Sequence, residues 1–177
     1  MASNIARFCA GFCALALAAC NGGEAEDGHD ILDAAEIFAN HQGTLATIRA
    51  AYPGPYTDFE RIPARNPADD DAMDRAFLKI LREEMPVEFI DFFPIGDSGK
   101  DEIDVVLWRE LDGDRWRTVS LIWFGMPMTL AEDRAGGMRA FETCGPEVKA
   151  WLAGHDGEPV AAFCKLNDHW QAYQRVE

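Results

Sequence analysis

The chain has little positive charge: 16 Lys and Arg residues face 31 Asp and Glu residues, for a formal net charge of −15. Proteins that bind nucleic acid or anionic lipid electrostatically need clusters of Lys and Arg that replace counterions at phosphates. The composition therefore argues against nucleic-acid partners and against electrostatic docking on a membrane. It favours either short-range attraction of a basic protein partner or a charge that only maintains solubility.

Long apolar runs are missing after the first twenty residues, where no segment approaches the ~18 apolar residues of a membrane-spanning helix. Residues 8–19 form an uncharged apolar run that would be about 18 Å long as a helix, short of a hydrocarbon core of roughly 30 Å. The preceding residues carry a single charge, Arg7. This pattern is typical of a signal peptide.

Leu17, Ala18, Ala19 and Cys20 follow this run directly. A hydrophobic residue, two small residues and a cysteine in this order resemble the lipobox of bacterial lipoproteins, and the resemblance covers this segment alone. It implies that residues 1–19 are removed as a signal peptide and that acyl chains are attached to Cys20. Two or three acyl chains would give a stable membrane anchor. The next residue is Asn21, whereas an Asp at this position would resemble an inner-membrane retention signal. The resemblance therefore favours the periplasmic face of the outer membrane. The alternatives are an ordinary secretory signal cut elsewhere and an uncleaved apolar N-terminus.

Cysteine is scarce in the remaining chain. Cys9, Cys13 and Cys20 belong to the N-terminal segment, which leaves Cys144 and Cys164. In an oxidising compartment such a pair can form one disulfide, and closing a loop of about 20 residues stabilises a domain by roughly 3 kcal/mol. We predict a Cys144–Cys164 disulfide, with a reactive thiol or a pair of metal ligands as the alternatives.

Residues 20–30 are polar, acidic and glycine-bearing, which predicts a flexible tether reaching on the order of 17 Å. Residues 31–177 show no internal repeat and predict a single domain. A helix is predicted over residues 31–52, with Asp30 as its N-cap, and a second over residues 71–85. The inward residues are expected to be Ile31, Ala34, Ala35, Phe38, Leu45 and Tyr52 in the first helix, and Met73, Ala76, Phe77 and Ile80 in the second.

Strands are predicted over residues 56–62, 87–95, 102–111, 115–124, 160–166 and 169–176, with a short helix over residues 146–152 and a long loop over residues 125–144. Asp112-Gly113 predicts a hairpin that pairs Trp108 with Arg117 and Glu110 with Arg115. The fold class is α+β, with two N-terminal helices packed on an antiparallel sheet made of a meander and a terminal hairpin. The pattern does not decide which sheet face is the core.

Few residues suggest chemistry. Gly96-Asp97-Ser98-Gly99 resembles the nucleophile segment of trypsin-like serine proteases, but Lys100 and Asp101 depart from that pattern and the residue types fit a turn. His41 is expected in the core and His29 in solvent. His155 with Asp156, and Asp168 with His169, supply imidazoles and carboxylates that could hold zinc if the fold brought them together.

The sequence thus predicts no catalytic residue, metal or other cofactor. The leading hypothesis is a lipid-anchored envelope module that binds a protein, a cell-wall component or a small ligand. A small hydrolase or metal-dependent enzyme using His155, Asp156 and His169 is the alternative, as is an inhibitor of a basic enzyme. The aromatic residues Trp108, Trp116, Trp123, Phe92 and Phe93 are expected in the sheet core, or else on a binding platform.

Overall fold

The structure, a computed structural model, describes residues 29–65, 68, 71–94, 101–126, 137–155 and 158–177. These residues form helices and a mixed sheet, which confirms the α+β fold class. The helices are α1 (Ile31–Asn40), α2 (Gln42–Ala51), α3 (Ala72–Glu84) and α4 (Pro146–Ala153). The strands are β1 (Glu60–Ile62), β2 (Phe89–Phe93), β3 (Glu102–Asp112), β4 (Arg115–Phe124), β5 (Met138–Phe141), β6 (Val160–Lys165) and β7 (Trp170–Val176).

The strands form one sheet in the order β1-β2-β3-β4-β7-β6-β5. The predicted meander and terminal hairpin are confirmed, since β2, β3 and β4 pair antiparallel, as do β6 and β7. The sheet is mostly antiparallel, as predicted, but it contains one additional strand, β5, which pairs parallel with β6. A parallel pair needs a crossover connection, and α4 lies in the segment that supplies it. The four residues of β5 lie in the segment predicted to be a loop, where so short a strand leaves little periodicity.

The first predicted helix is two helices. His41 leaves the helical region with φ −123° and ψ 29°, so α1 ends before it and α2 begins after it. His41 is therefore half-buried at a junction and not in the core as expected. Asp30 is confirmed as the N-cap: its carboxylate accepts hydrogen bonds from the backbone N–H groups of Leu32 (2.8 Å) and Asp33 (3.4 Å). The Asp33 carboxylate in turn accepts from the Asp30 N–H, which completes a capping box.

Helix α3 is rotated relative to its prediction. Met73 and Ile80, expected to face inward, are 80% and 59% exposed, and Ala76 is exposed as well. Leu78 and Leu81 are buried instead. The sequence offers two apolar stripes at helical spacing, and the stripe with both leucines continues into buried residues after the helix, which lets it bury more apolar area.

The β3–β4 hairpin has a different register from the predicted one. Glu110 pairs with Arg117 and not with Arg115, and Trp108 pairs with Val119. The turn residues are therefore Gly113 and Asp114, and Gly113 has the positive φ (67°) that glycine adopts without strain. A β-bulge at Leu107 further shifts the register between Val106 and Trp108.

Helices α1, α3 and α4 contact strands of the sheet, and α2 contacts α1. The core forms between the helices and one side of the sheet, here called the helix face. Alternating strand residues turn to this face and are buried, including Ile90, Phe92, Ile103, Val105, Leu121 and Ala172. The residues between them turn to the opposite side, here called the second face. No described helix is long and apolar enough to cross a membrane.

Candidate functional site

A cavity of about 640 Å³ lies against the second face of the sheet. Residues of strands β1, β2, β3, β4 and β7 line it. This volume is within the range of small-molecule binding sites. The cavity is lined by charged groups, the guanidinium groups of Arg61, Arg65, Arg109 and Arg175 and the carboxylates of Asp91, Asp104 and Glu177. Phe89, Val106, Thr118 and Tyr173 complete the described lining.

The bulge at Leu107 places Arg109 in this cavity. In a regular strand, residue 109 would share the face of Ile103 and Val105, which point into the core. The extra residue reverses the alternation, so Leu107 and Trp108 both pack toward the helix face and Arg109 joins Val106 on the second face. Bulges commonly redirect side chains beside functional sites.

Arg61 and Asp91 form one wall as a close ion pair. They are directly opposite each other on β1 and β2, and the Arg61 Nε and NH2 groups each donate to one oxygen of the Asp91 carboxylate. The Arg61 guanidinium also lies 4.0 Å above the Phe89 ring centroid. Bidentate pairing and stacking fix the guanidinium plane, so this wall is rigid.

Asp104 lies beside Asp91 on the next strand. Burial raises the pKa of Asp104 to about 7, and the neighbouring carboxylates of Asp91 and Glu102 add to the increase, while Ser120 and Arg61 oppose it. The residue retains some exposure at the cavity, but its Oδ1 atom is buried and has no hydrogen-bond partner among the described residues. Buried polar atoms normally have partners, so this oxygen is available to a ligand or water.

Two other second-face residues of β7 are polar and sheltered. Burial raises the pKa of Tyr173 to about 12, which keeps its hydroxyl protonated at neutral pH and able to donate. The side chain of Gln171 is 2% exposed, and its Oε1 atom lacks a hydrogen-bond partner within the described parts of the chain. The second face thus combines apolar residues with polar groups whose hydrogen-bonding capacity is incompletely used.

The predicted cysteine pair lies outside the cavity, where β5 ends and β6 runs through the core. The Sγ atoms of Cys144 and Cys164 are at bonding distance, and their Cα atoms are 5.0 Å apart. This separation suits a disulfide. Cys164 is completely buried, and the bond joins the segment after β5 to β6, so it fixes the sheet edge.

The two histidines predicted as zinc ligands form hydrogen bonds with backbone carbonyl groups. His155 Nδ1–H donates to the Trp151 carbonyl (2.7 Å), and His169 Nδ1–H donates to the Phe124 carbonyl (2.8 Å). Asp156 lies outside the described residues, as do Cys20 and the segment 96–99. Within the described residues, no group of three or more His, Cys, Asp or Glu side chains could hold a metal ion.

The aromatic residues divide between core and surface. Phe92 and Trp123 are buried and Trp108 is partly buried, whereas Trp116 is 43% exposed. His29 is exposed, as expected, and its ring stacks on that of Trp108 with centroids 4.1 Å apart.

The sequence interpretation missed every charged residue of the cavity. A signal was present: Asp91 and Asp104 each interrupt an apolar strand, and both strands belong to the predicted meander. Charged residues are rarely buried without a partner, so two such residues on neighbouring strands indicate a shared polar site. Arg109 gave no comparable signal, because its position depends on the bulge.

Comparison of the chain with protein-family models, curated proteins and solved structures finds no match.

Proposed function

We propose that the protein is a lipid-anchored binding module of the bacterial cell envelope that holds its ligand in the second-face cavity. The observation that carries this proposal is a cavity of about 640 Å³ whose walls combine fixed charged groups with a buried carboxylate oxygen of Asp104 that has no hydrogen-bond partner in the described part of the chain. Sites of this size with a few convergent polar groups commonly bind small molecules or the protruding group of a larger one.

The point at which the chain enters the fold supports an anchored arrangement. The chain enters the fold at Asp30, whose carboxylate accepts from Lys149 Nζ of α4 at 2.9 Å. The next residue, Ile31, donates its backbone N–H to Gln174 Oε1 of β7 at 2.9 Å and is completely buried. These contacts lie on the helix face. The chain therefore enters the described fold on the side opposite the cavity, which favours an anchor that leaves the cavity accessible.

The walls of the cavity favour recognition of a ligand over its chemical conversion. Arg61 and Asp91 occupy each other, and the guanidinium groups of Arg65 and Arg109 lie over aromatic rings. Fixed, stacked guanidinium groups recognise charge and shape. Binding of a small ligand or of the charged group of a cell-wall component is the activity that this arrangement performs directly.

Filling the cavity tests the binding function. Thr118 lies between Arg109 on β3 and Arg175 on β7, so a tryptophan there would occupy the cavity. Thr47→Trp, on the exposed side of α2, is the matched control. We would screen a library of anionic, neutral and cationic fragments by ligand-observed NMR against the full-length protein in non-ionic detergent.

We expect fragments that bind the wild type and Thr47→Trp but lose binding to Thr118→Trp. Equal binding to both variants, or no binding to the wild type, would refute the cavity as a ligand site. Circular dichroism and urea unfolding establish that both variants fold.

The anchor is tested separately by the intact mass of protein isolated from bacterial membranes. We expect the mass to begin at Cys20 and to include acyl chains, and Cys20→Ala to release the protein from the membrane fraction. An unacylated chain with another N-terminus would contradict the lipoprotein assignment while leaving the cavity open to its own test.

A further inference from the structure

The cavity concentrates positive charge in an acidic chain. Four of the 16 Lys and Arg residues line it, although acidic residues outnumber basic ones nearly two to one in the whole sequence. A random distribution of side chains over the surface would give the cavity an excess of carboxylates. The local charge therefore has the opposite sign to the net charge.

Each carboxylate of the described lining is already compensated. Asp91 is held by Arg61, and Glu177 accepts from Arg175 Nε at 2.6 Å. Asp104 lies in a site that disfavours its charged form, because burial and the adjacent Asp91 both raise its pKa. Two guanidinium groups, those of Arg65 and Arg109, remain without an ion pair among the described residues.

These two arginines are oriented by aromatic rings. The Arg109 guanidinium carbon lies 4.9 Å from the Trp116 ring centroid, and that of Arg65 lies 5.7 Å from the Phe59 ring centroid. Stacking uses the face of a guanidinium and leaves its N–H groups, which lie in the plane at the edge, free to donate. It also accounts for the exposure of Trp116, which is 43% accessible, and of Phe59, which is 45% accessible.

We propose that the cavity binds its ligand through a carboxylate or phosphate group held by Arg65 and Arg109, with the apolar part of the ligand against Phe89 and Val106. Both anions match the planar fork of an arginine, which can donate two parallel hydrogen bonds to either. This inference rests on the proposed binding function and specifies the chemical class of the ligand.

Asp104 couples anion binding to protonation. The groups that face it are Arg61 on β1, Asp91 on β2, Glu102 on β3, Ser120 on β4 and Tyr173 on β7. An anion placed among them adds negative charge, which favours the neutral carboxylic acid at Asp104, and the acid can then donate a hydrogen bond to the anion. Anion affinity should therefore increase as the pH falls from 8 to 6, and Asp104→Asn should remove that dependence.

The experiment is a titration followed by ¹⁵N–¹H correlation spectra of the full-length protein in non-ionic detergent. Inorganic phosphate and succinate are the anionic probes, succinamide is the neutral analogue and putrescine is the cationic probe. We expect phosphate or succinate to shift backbone amide signals of β3, β4 and β7, and succinamide and putrescine to leave them unchanged. Phosphate and succinate together distinguish the two classes of anionic group.

Arg109→Gln and Arg65→Gln should each weaken the binding of the anionic probe about tenfold or more, the loss expected for a charge-assisted hydrogen bond. Arg139→Gln is the matched control, because Arg139 is also an exposed strand arginine whose guanidinium lies 4.9 Å from a ring centroid, that of Phe141. Arg109→Lys should retain part of the affinity, which separates loss of charge from loss of fold.

Several outcomes would overturn the anion inference. An equal effect of Arg139→Gln would mean that general surface charge, and not the cavity, attracts the probe. Binding of putrescine or succinamide that Thr118→Trp abolishes would leave the binding function standing and exclude the anionic ligand. If no probe binds and no fragment depends on Thr118, both proposals fail.

Discussion

Asp104→Asn should stabilise the protein at alkaline pH and change little at acidic pH. Burial and the neighbouring Asp91 and Glu102 carboxylates raise the pKa of Asp104 from an ordinary 3.8 to about 7. The folded protein therefore keeps a proton on this carboxyl over a pH range in which the unfolded chain has lost it. Asparagine has nearly the same shape and carries no charge at any pH.

The sign of the pH effect follows from this difference in proton binding. Between about pH 4 and 7 the folded state binds more protons at this site than the unfolded state, so the free energy of unfolding falls as the pH rises. The difference between pKa values of 3.8 and about 7 corresponds to about 4 kcal/mol above pH 7. Because the residue is partly open to water in the cavity, we expect a smaller contribution of about 2 kcal/mol.

Urea unfolding of the full-length wild type and Asp104→Asn at pH 4.5, 6 and 8 measures this contribution. The stability difference between the two proteins should grow with pH and favour the variant at pH 8. Asp168→Asn is the control, since the Asp168 side chain is 76% exposed and forms an ion pair with the Lys165 side chain, so its effect should be small at every pH. A constant difference between wild type and Asp104→Asn across this range would refute the raised pKa and the burial argument behind it.

Three further changes test the contacts that hold the domain. Replacing Cys144 and Cys164 together by alanine should lower the free energy of unfolding by about 2–4 kcal/mol, and the mass of the wild type should increase by two hydrogens on reduction; no mass change would exclude the disulfide. Asp91→Asn should cost about 2–3 kcal/mol in urea unfolding because it leaves the Arg61 guanidinium half-buried without its carboxylate, and a neutral result would show that solvent replaces the pair. Asp30→Ala should cost about 1 kcal/mol by removing the N-cap of α1, measured by the midpoint of thermal unfolding, and an unchanged midpoint would contradict the capping contacts.

The elements with strong local signals were predicted from the sequence. The cap at Asp30 and the terminal hairpin follow from residue types whose local hydrogen bonding or alternation is nearly independent of the rest of the chain. The rotation of α3 could not be predicted, because Met73 and Ile80 form as good an apolar stripe as the leucines do. Only the shape of the remaining core decides which stripe is buried. Strand β5 was also missed, because its pairing with β6 depends on residues distant in the sequence.

The cavity was harder to predict because it depends on register. One residue, Leu107, bulges out of the β3–β4 ladder and thereby moves Arg109 from the core side to the cavity side. A shift of one residue exchanges the two faces of a strand, and the hairpin signal at Gly113 fixes the turn only to within a residue. The acidic residues at 91 and 104 could have been recognised as neighbours, whereas the arginines could not.

The net charge of the chain and the charges lining the cavity act over different distances. Charges more than about 8–10 Å away are screened at physiological ionic strength, so a ligand inside the cavity interacts with the nearby guanidinium groups and not with the formal charge of −15. A basic protein approaching from outside would instead meet the acidic surface as a whole. The expectation of a basic partner and the proposal of an anionic ligand are therefore compatible, and they make opposite predictions for Arg109→Gln. That variant should weaken the binding of an anion in the cavity, but it should strengthen attraction of a basic protein slightly, because it makes the surface more negative.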